Sequence, residues 1–241
     1  MITVKNLSKH FGGIKAVDGV DLHIDKGSIT GLVGPNGAGK TTLTNVLDGA
    51  IKPNSGTVYL GGNRIDQLQP FEVARHGLGR TFQVTRSFRR MTVLENLMVP
   101  ALALDQGLSR SEIDDKAMEV LEFLTVDHLR NEYAKSLSGG QQKLLELGRL
   151  LMLNPDVIIL DEPFAGVHPK LMEIIYKYIE RVNNDGTAII LISHQMDSIF
   201  SLCKRLLVLN YGDLIADGTP DVVKNDPTVI EAYLGSDDEE D

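Results

Sequence analysis

The sequence predicts an α/β fold with a largely parallel sheet, a β-rich N-terminal part and a helical insertion. Three observations carry this expectation. A short apolar run, Ile29 to Val33, ends in the glycine-rich stretch Gly34-Pro35-Asn36-Gly37-Ala38-Gly39-Lys40-Thr41. A second apolar run, Val157 to Leu160, ends in two carboxylates, Asp161 and Glu162. Between them, apolar residues recur at helical spacing.

The elements follow in order. Val20, Leu22 and Ile24 alternate with polar residues, which predicts a strand, and Ile29 to Val33 predicts a second, buried one. Thr41 to Asp48 has no helix breaker and is followed by Gly49, so a short helix is expected to start at the glycine-rich loop. In the middle, Ser109 with Glu112 reads as a capping box, and Ile113, Ala117, Val120, Leu121 and Leu124 mark the apolar stripe of the helix it opens. Val157 to Leu160 and Thr187 to Ile192 read as parallel strands. Leu171, Ile174, Ile175, Tyr178, Ile179 and Val182 predict an amphipathic helix between them, which completes a βαβ unit. Arg205 to Leu209 and Leu214 to Ala216 flank Asn210-Tyr211-Gly212-Asp213 as a hairpin, followed by short helices to Leu234. The expected organisation is one domain over residues 1–235, with a core of 1–85 and 156–235, a helical subdomain at about 86–155, and a disordered acidic tail at 236–241.

Composition bounds the function. With 241 residues, 42% hydrophobic and 24% charged, the chain can bury a substantial core and is not a disordered polypeptide. Its formal charge is −9, and the last five positions, Asp237-Asp238-Glu239-Glu240-Asp241, are all acidic, as expected of a solvated end. A net-acidic chain without a Lys/Arg block argues against a nucleic-acid partner. The single cysteine, Cys203, cannot form an intramolecular disulfide, and no basic segment followed by an apolar stretch opens the chain, so a reducing cytoplasm is expected. The apolar run Leu97 to Leu104 is interrupted by Pro100 and is far short of the ~20 residues needed to cross a bilayer. Any membrane role therefore needs a separate partner.

The glycine-rich stretch suits a polyphosphate. Glycines 34, 37 and 39 let the backbone wrap phosphates, Lys40 reaches the terminal ones, and the Thr41 hydroxyl can ligate Mg²⁺. The binding set is Gly34, Asn36, Gly37, Ala38, Gly39, Lys40, Thr41 and Thr42. At the end of the second strand, Asp161 would hold Mg²⁺ through its water shell, and Glu162 would orient or deprotonate the attacking water. Together these are the two halves of a P-loop NTPase site, with ATP and Mg²⁺ as the expected cofactors.

A third motif narrows the reading. Leu137-Ser138-Gly139-Gly140-Gln141 precedes a helical run and stands shortly before the Asp161-Glu162 strand. By that pentapeptide and its placement the chain resembles the ABC ATPase family over nearly its whole length. The resemblance implies a head-to-tail dimer with a second ABC ATPase subunit, identical or not, in which Ser138, Gly139 and Gly140 of one chain close over the nucleotide held by the other. A helix N-terminus offers a γ-phosphate the positive potential that other NTPases supply with an arginine finger. The resemblance also implies roles for three further positions. Gln83, in Arg80-Thr81-Phe82-Gln83, looks like the glutamine that senses metal and water. His194, after the strand ending at Ile192, looks like the histidine that contacts the γ-phosphate. Phe11 stands where the family places an aromatic on the adenine, usually tyrosine; core packing is the alternative. One departure is plain: Ala165-Gly166-Val167-His168-Pro169 has histidine where the family commonly has aspartate before the proline, and His168 brings no permanent negative charge.

Arg80-Thr81-Phe82-Gln83, then Phe88 and Met91 to Leu97, together with the ending Ile230-Glu231-Ala232-Tyr233-Leu234-Gly235, look like the ATP-binding subunits of branched-chain amino acid importers, the G component above all. Lipopolysaccharide-export ATPases share Phe164-Ala165-Gly166-Val167 and a similar ending, so they stand as the alternative; a soluble ABC ATPase is the other. The importer resemblance implies transmembrane permease subunits, indirect work with an extracytoplasmic solute-binding protein, and a place at the cytoplasmic face of the membrane. A groove beside Gln83, lined by residues such as Phe88 and Met91, is expected to receive a short permease helix.

Overall fold

The computed structural model describes residues 1–82, 86–104 and 107–234; Gln83 and the acidic tail therefore lie outside the described residues. Two sheets organise the chain. The first is antiparallel, in the order β2-β1-β4-β5, from β1 (Ile2–Phe11), β2 (Ile14–Ile24), β4 (Ser55–Leu60) and β5 (Asn63–Arg64). The second has six strands in the order β10-β9-β3-β8-β7-β6. Its members are β3 (Ile29–Val33), β6 (Leu78–Arg80), β7 (Val157–Asp161), β8 (Ala188–Ile192), β9 (Arg205–Asn210) and β10 (Asp213–Gly218). All its pairings are parallel except the β9–β10 hairpin.

Side-chain parity explains why the central strands are continuously apolar. Ile158 and Leu160 of β7, Ile189 and Leu191 of β8, and Leu206 and Val208 of β9 join the cluster that packs on helices. Their alternates, Val157, Ile159, Ala188, Ile190, Ile192, Leu207 and Leu209, join a second cluster with the antiparallel sheet and helix α1 (Lys40–Leu47). A sheet covered on both faces has no polar side, so the run of apolar residues is a consequence of the layering.

The remaining helices are α2 (Pro70–Arg75), α3 (Val93–Leu104), α4 (Arg110–Phe123), α5 (Gly139–Leu153), α6 (Pro169–Asn184), α7 (Met196–Leu202), α8 (Pro220–Val223) and α9 (Pro227–Leu234). The Ser109–Glu112 capping box opens α4, with Ile113, Ala117, Val120 and Leu121 buried. Helix α6 buries Ile175, Tyr178, Ile179 and Val182. The run Leu97 to Leu104 falls within α3, which continues through Pro100. Among the described residues no helix is long and apolar enough to cross a membrane.

One polar residue fixes the entry to the helical region. Asn96 is fully buried, and its side-chain amide donates to the carbonyls of Phe88 (3.1 Å), Met91 (3.3 Å) and Thr92 (2.8 Å), while its oxygen accepts from the Phe88 amide at 2.8 Å. Removing it deletes four hydrogen bonds and leaves the Phe88 amide without its acceptor, while the three carbonyls keep their backbone donors; each lost bond costs about 0.5–1.5 kcal/mol. Asn96→Ala is therefore expected to lower unfolding stability by roughly 2–4 kcal/mol, read as an earlier midpoint in urea; an unchanged midpoint would show that residues 88–92 hold their shape without it.

Candidate nucleotide site

The phosphate loop joins the C-terminal end of β3 to α1. Its shape depends on two glycines with positive φ, Gly34 at 145° and Gly39 at 105°. A Cβ on Gly34 would come 2.1 Å from the Leu209 carbonyl, and one on Gly39 would come 2.2 Å from the Ala16 carbonyl, so no larger residue fits either position. Gly39 caps α1 without a side-chain acceptor, leaving the first-turn amides of the helix to face outward as an anion-binding end. The Lys40 ammonium donates to the carbonyls of Gly34 at 2.6 Å and Pro35 at 2.8 Å, spanning the loop, and burial lowers its pKa.

These residues form one side of an open cavity of about 580 Å³, a volume suited to a small-molecule ligand. The structure brings Asn36, Gly37, Ala38, Gly39, Lys40, Thr41 and Thr42 together there with Asp161, Glu162 and His194. Gly13 to Ala16 and Tyr211 complete the lining. Phe11 is 49% exposed at the end of β1, so it is not a core residue; it lies outside the lining, with the Lys9 ammonium 5.2 Å from its ring centroid. Gly34 also lies outside the lining, beneath the loop.

Asp161 and Glu162 leave the end of β7 in different environments. The Asp161 amide donates to the Thr81 hydroxyl at 2.9 Å, and the Asp161 carboxylate accepts from Arg80 at 3.0 Å. Arg80 is 5% exposed at its side chain and reaches Asn45 of α1 and Asp48, the residue that caps the C-terminus of that helix, each at 2.7 Å. Glu162 is buried and sits at φ +50°, a left-handed conformation that costs an ordinary residue about 1 kcal/mol. Its amide donates to the Ile192 carbonyl at 2.9 Å, and its carbonyl accepts from the Lys143 ammonium. Its carboxylate lies 3.6 Å from the His194 imidazole. Burial raises the Glu162 pKa, while His194 opposes the shift. Oxygen donors at Thr41 and Asp161 beside a phosphate cradle fit Mg²⁺, which keeps several waters and takes few protein ligands; among the described residues no cluster of three His, Cys, Asp or Glu could hold a metal by itself.

Ser138, Gly139 and Gly140 are elsewhere. Ser138 opens α5 in a reciprocal cap: its hydroxyl accepts from the Gln141 amide at 3.4 Å, and its own amide donates to the Gln141 side chain at 2.9 Å. Ser138 and Gly139 are exposed and none of the three lines the cavity of its own chain. His168 caps α6, its Nδ1 accepting from the Lys170 amide at 3.3 Å, so an unprotonated imidazole nitrogen does the acceptor work of a capping carboxylate. Sequence reasoning gave no role to Arg80, Lys143, Tyr211 or Tyr233. The Tyr233 hydroxyl accepts from the Gly34 amide, tying α9 to the phosphate loop.

A second cavity, about 570 Å³, lies between α2, α3 and α5. Phe71, Leu78, Phe82, Pro100 and Leu150 are among its apolar lining, and Arg75, Arg80, Arg86 and Arg149 its cations. Phe88 and Met91, expected on this wall, are absent from it: Asn96 holds the Phe88 backbone away, and the Arg149 guanidinium covers the Phe88 ring at 4.9 Å. At its floor, buried Glu146 accepts from the Phe82 amide at 3.1 Å. Burial pushes the Glu146 carboxyl up to about 7, against the pull of the Phe82 amide, Arg149, Lys143 and Arg86. The folded chain thus holds this proton more tightly than the unfolded one. Its contribution to stability is full below the ordinary glutamate pKa of about 4.3 and is lost as pH rises through about 7. Glu146→Gln is expected to remove this slope, on the order of 2–3 kcal/mol between pH 5 and 8; urea unfolding across that range checks it, and parallel pH profiles would refute it.

Comparison with known proteins agrees with this geometry. The ABC transporter family profile matches residues 17–165, and the profile of the branched-chain amino acid ATP-binding cassette transporter matches residues 214–239. The high-affinity branched-chain amino acid transport ATP-binding protein LivG of Escherichia coli K12 is 39% identical over 98% of each chain. The lipopolysaccharide export system ATP-binding protein LptB of the same strain is 37% identical, also over 98% of each. A solved ATP-binding cassette, a dimer in a post-hydrolysis state bound to ADP and Pi, superimposes with a TM-score of 0.83 at 28% identity, covering 91% of this chain and 98% of that one. With the phosphate loop, the acidic strand end and the Ser138 helix cap on one α/β scaffold, the chain belongs to the ABC transporter family of ATP-binding cassettes, as an ATPase coupled to transport.

Proposed function

We propose that this chain powers uptake of branched-chain or related amino acids through separate permease subunits, working as a peripheral protein at the cytoplasmic face of the membrane. The observation that carries the solute assignment is the match of residues 214–239 to the branched-chain amino acid cassette profile, with LivG as a full-length relative. The 37% identity to LptB favours a second reading, lipopolysaccharide export. ATPase activity of the chain reconstituted with its permeases should rise when a leucine-loaded solute-binding protein is added; stimulation by lipopolysaccharide instead would select the second reading.

In the proposed site, the amides of Gly37 to Thr42 and the Lys40 ammonium bind the phosphates, and Asn36 and Gly34 shape the loop. Thr41 and Asp161, with Gln83, would hold Mg²⁺, which offsets the negative charge of the terminal phosphates. Glu162 takes a proton from the attacking water. Its burial favours that, because a carboxylate with a raised pKa is a stronger base. His194 lies beside it and positions the γ-phosphate and water. Phe11 stacks on the adenine. A second cassette subunit supplies Ser138, Gly139 and Gly140, whose place outside the cavity of their own chain, with Ser138 and Gly139 exposed, leaves them free to close over a partner's nucleotide. The groove between α2, α3 and α5 receives a permease segment, consistent with its apolar lining.

Glu162→Gln should cut turnover by about 100-fold or more while ATP affinity stays within about threefold, and the variant should elute as a dimer with ATP; full turnover would remove Glu162 from the role of base. Lys40→Ala should lose ATP affinity in calorimetry, and unchanged affinity together with unchanged hydrolysis would remove Lys40 from the site.

A further inference from the structure

The hairpin between β9 and β10 places Tyr211 where the fold alone gives no reason for an aromatic residue. Tyr211 has φ +44° and Gly212 φ +89°, the pair of left-handed residues of a tight hairpin turn. Asn, Asp and Gly suit the first of these positions, and an aromatic side chain is strained there. Its side chain contributes nothing to the core, since Tyr211 is 68% exposed.

The turn is nevertheless rigidly placed. The Gly212 amide donates to the Ala38 carbonyl of the phosphate loop at 3.0 Å, and the Asp18 amide donates to the Gly212 carbonyl at 3.0 Å. A Cβ on Gly212 would lie 2.5 Å from the Lys15 carbonyl, so the hairpin tip is pressed against the start of β2. Those contacts carry Tyr211 to the wall of the nucleotide cavity, whose lining also includes Ile14, Thr41 and Thr42. Ile14, 71% exposed, is a second large side chain in the lining. Strained and solvent-facing aromatics that persist on a rigid turn are a feature of ligand clamps.

We propose that Tyr211 is a nucleoside-contacting residue: its ring packs on the base or ribose of the bound nucleotide from the hairpin side. This rests on the reading of the cavity as the ATP site. The contact acts on the nucleoside alone, because the phosphates are held by backbone amides and Lys40.

Tyr211→Asn removes the ring and keeps a residue that accepts left-handed φ. The experiment measures ATP and inorganic tripolyphosphate binding to the full chain by calorimetry, with the melting temperature of the free protein alongside. The expected result is ATP affinity weakened about fivefold to tenfold, as for loss of one base–aromatic contact, tripolyphosphate affinity unchanged within about twofold, and a melting temperature equal to or above that of the wild type. Tyr211→Phe should bind ATP as the wild type does. Unchanged ATP affinity in Tyr211→Asn would overturn the proposal, and so would equal weakening of ATP and tripolyphosphate, which would assign the hairpin to loop support. A wild-type chain that binds tripolyphosphate but not ATP would overturn the ATP reading itself.

Discussion

A buried guanidinium holds the two halves of the site in register. Arg80, at the end of the edge strand β6, bonds Asn45 and the C-cap residue Asp48 of the helix that follows the phosphate loop and Asp161 on the acidic strand. A charge buried to this degree is tolerable only when paired, and removing one partner strands the others at a cost of roughly 3–5 kcal/mol. The distance between the phosphate cradle and the carboxylates is thus set by a rigid planar fork. Asp161 is held further by Thr81, the neighbour of Arg80, so two adjacent residues of one short segment fix the acidic strand end.

Helix α5 extends that arrangement across the molecule. Its first residues face outward at Ser138 and Gly139, Lys143 reaches the Glu162 carbonyl, Glu146 holds the Phe82 amide, and Arg149 covers Phe88. Successive turns of one helix therefore touch the exposed signature segment, the strained glutamate and the wall of the apolar groove. A rigid displacement of α5 moves all of these together. One helix thus contacts both the residue beside the nucleotide cavity and the lining of the groove.

The sequence made the parallel core legible because its strands are short apolar runs bounded by glycine or acid, and the double-sided burial of β7, β8 and β9 is what such runs mean. The phosphate loop, Asp161, Glu162 and His194 were legible for a similar reason: their residue types at strand ends have few other uses, and the fold gathers them around one cavity. Less was readable between β4 and β6, where the strands are short and α2 has only six residues, too few for a period to emerge. The contacts of Arg80, Asn96 and Glu146 were hidden because each is a polar residue whose partners lie far away in the chain or on backbone atoms. Phe88 and Met91 do not line the cavity between α2, α3 and α5, since an apolar residue in the sequence carries no sign of which way its backbone is tethered. Tyr211 looked like an ordinary turn residue until its left-handed φ was known.

The self-contained cap at Ser138 has a further consequence. Because Gln141 already pairs the Ser138 amide and donates to its hydroxyl oxygen, leaving the hydroxyl proton to be given away, the lone subunit gains little by burying this cap against a second copy without an anion between them. On the proposed pairing, the favourable free energy of association must then come largely from the triphosphate lying between the two surfaces. On that pairing, subunit encounter would be conditional on fuel, and cleavage of the fuel would dissolve the contact that allowed it. A subunit paired in that way would act as a timer whose interval is one hydrolysis event, started again by mass action of ATP.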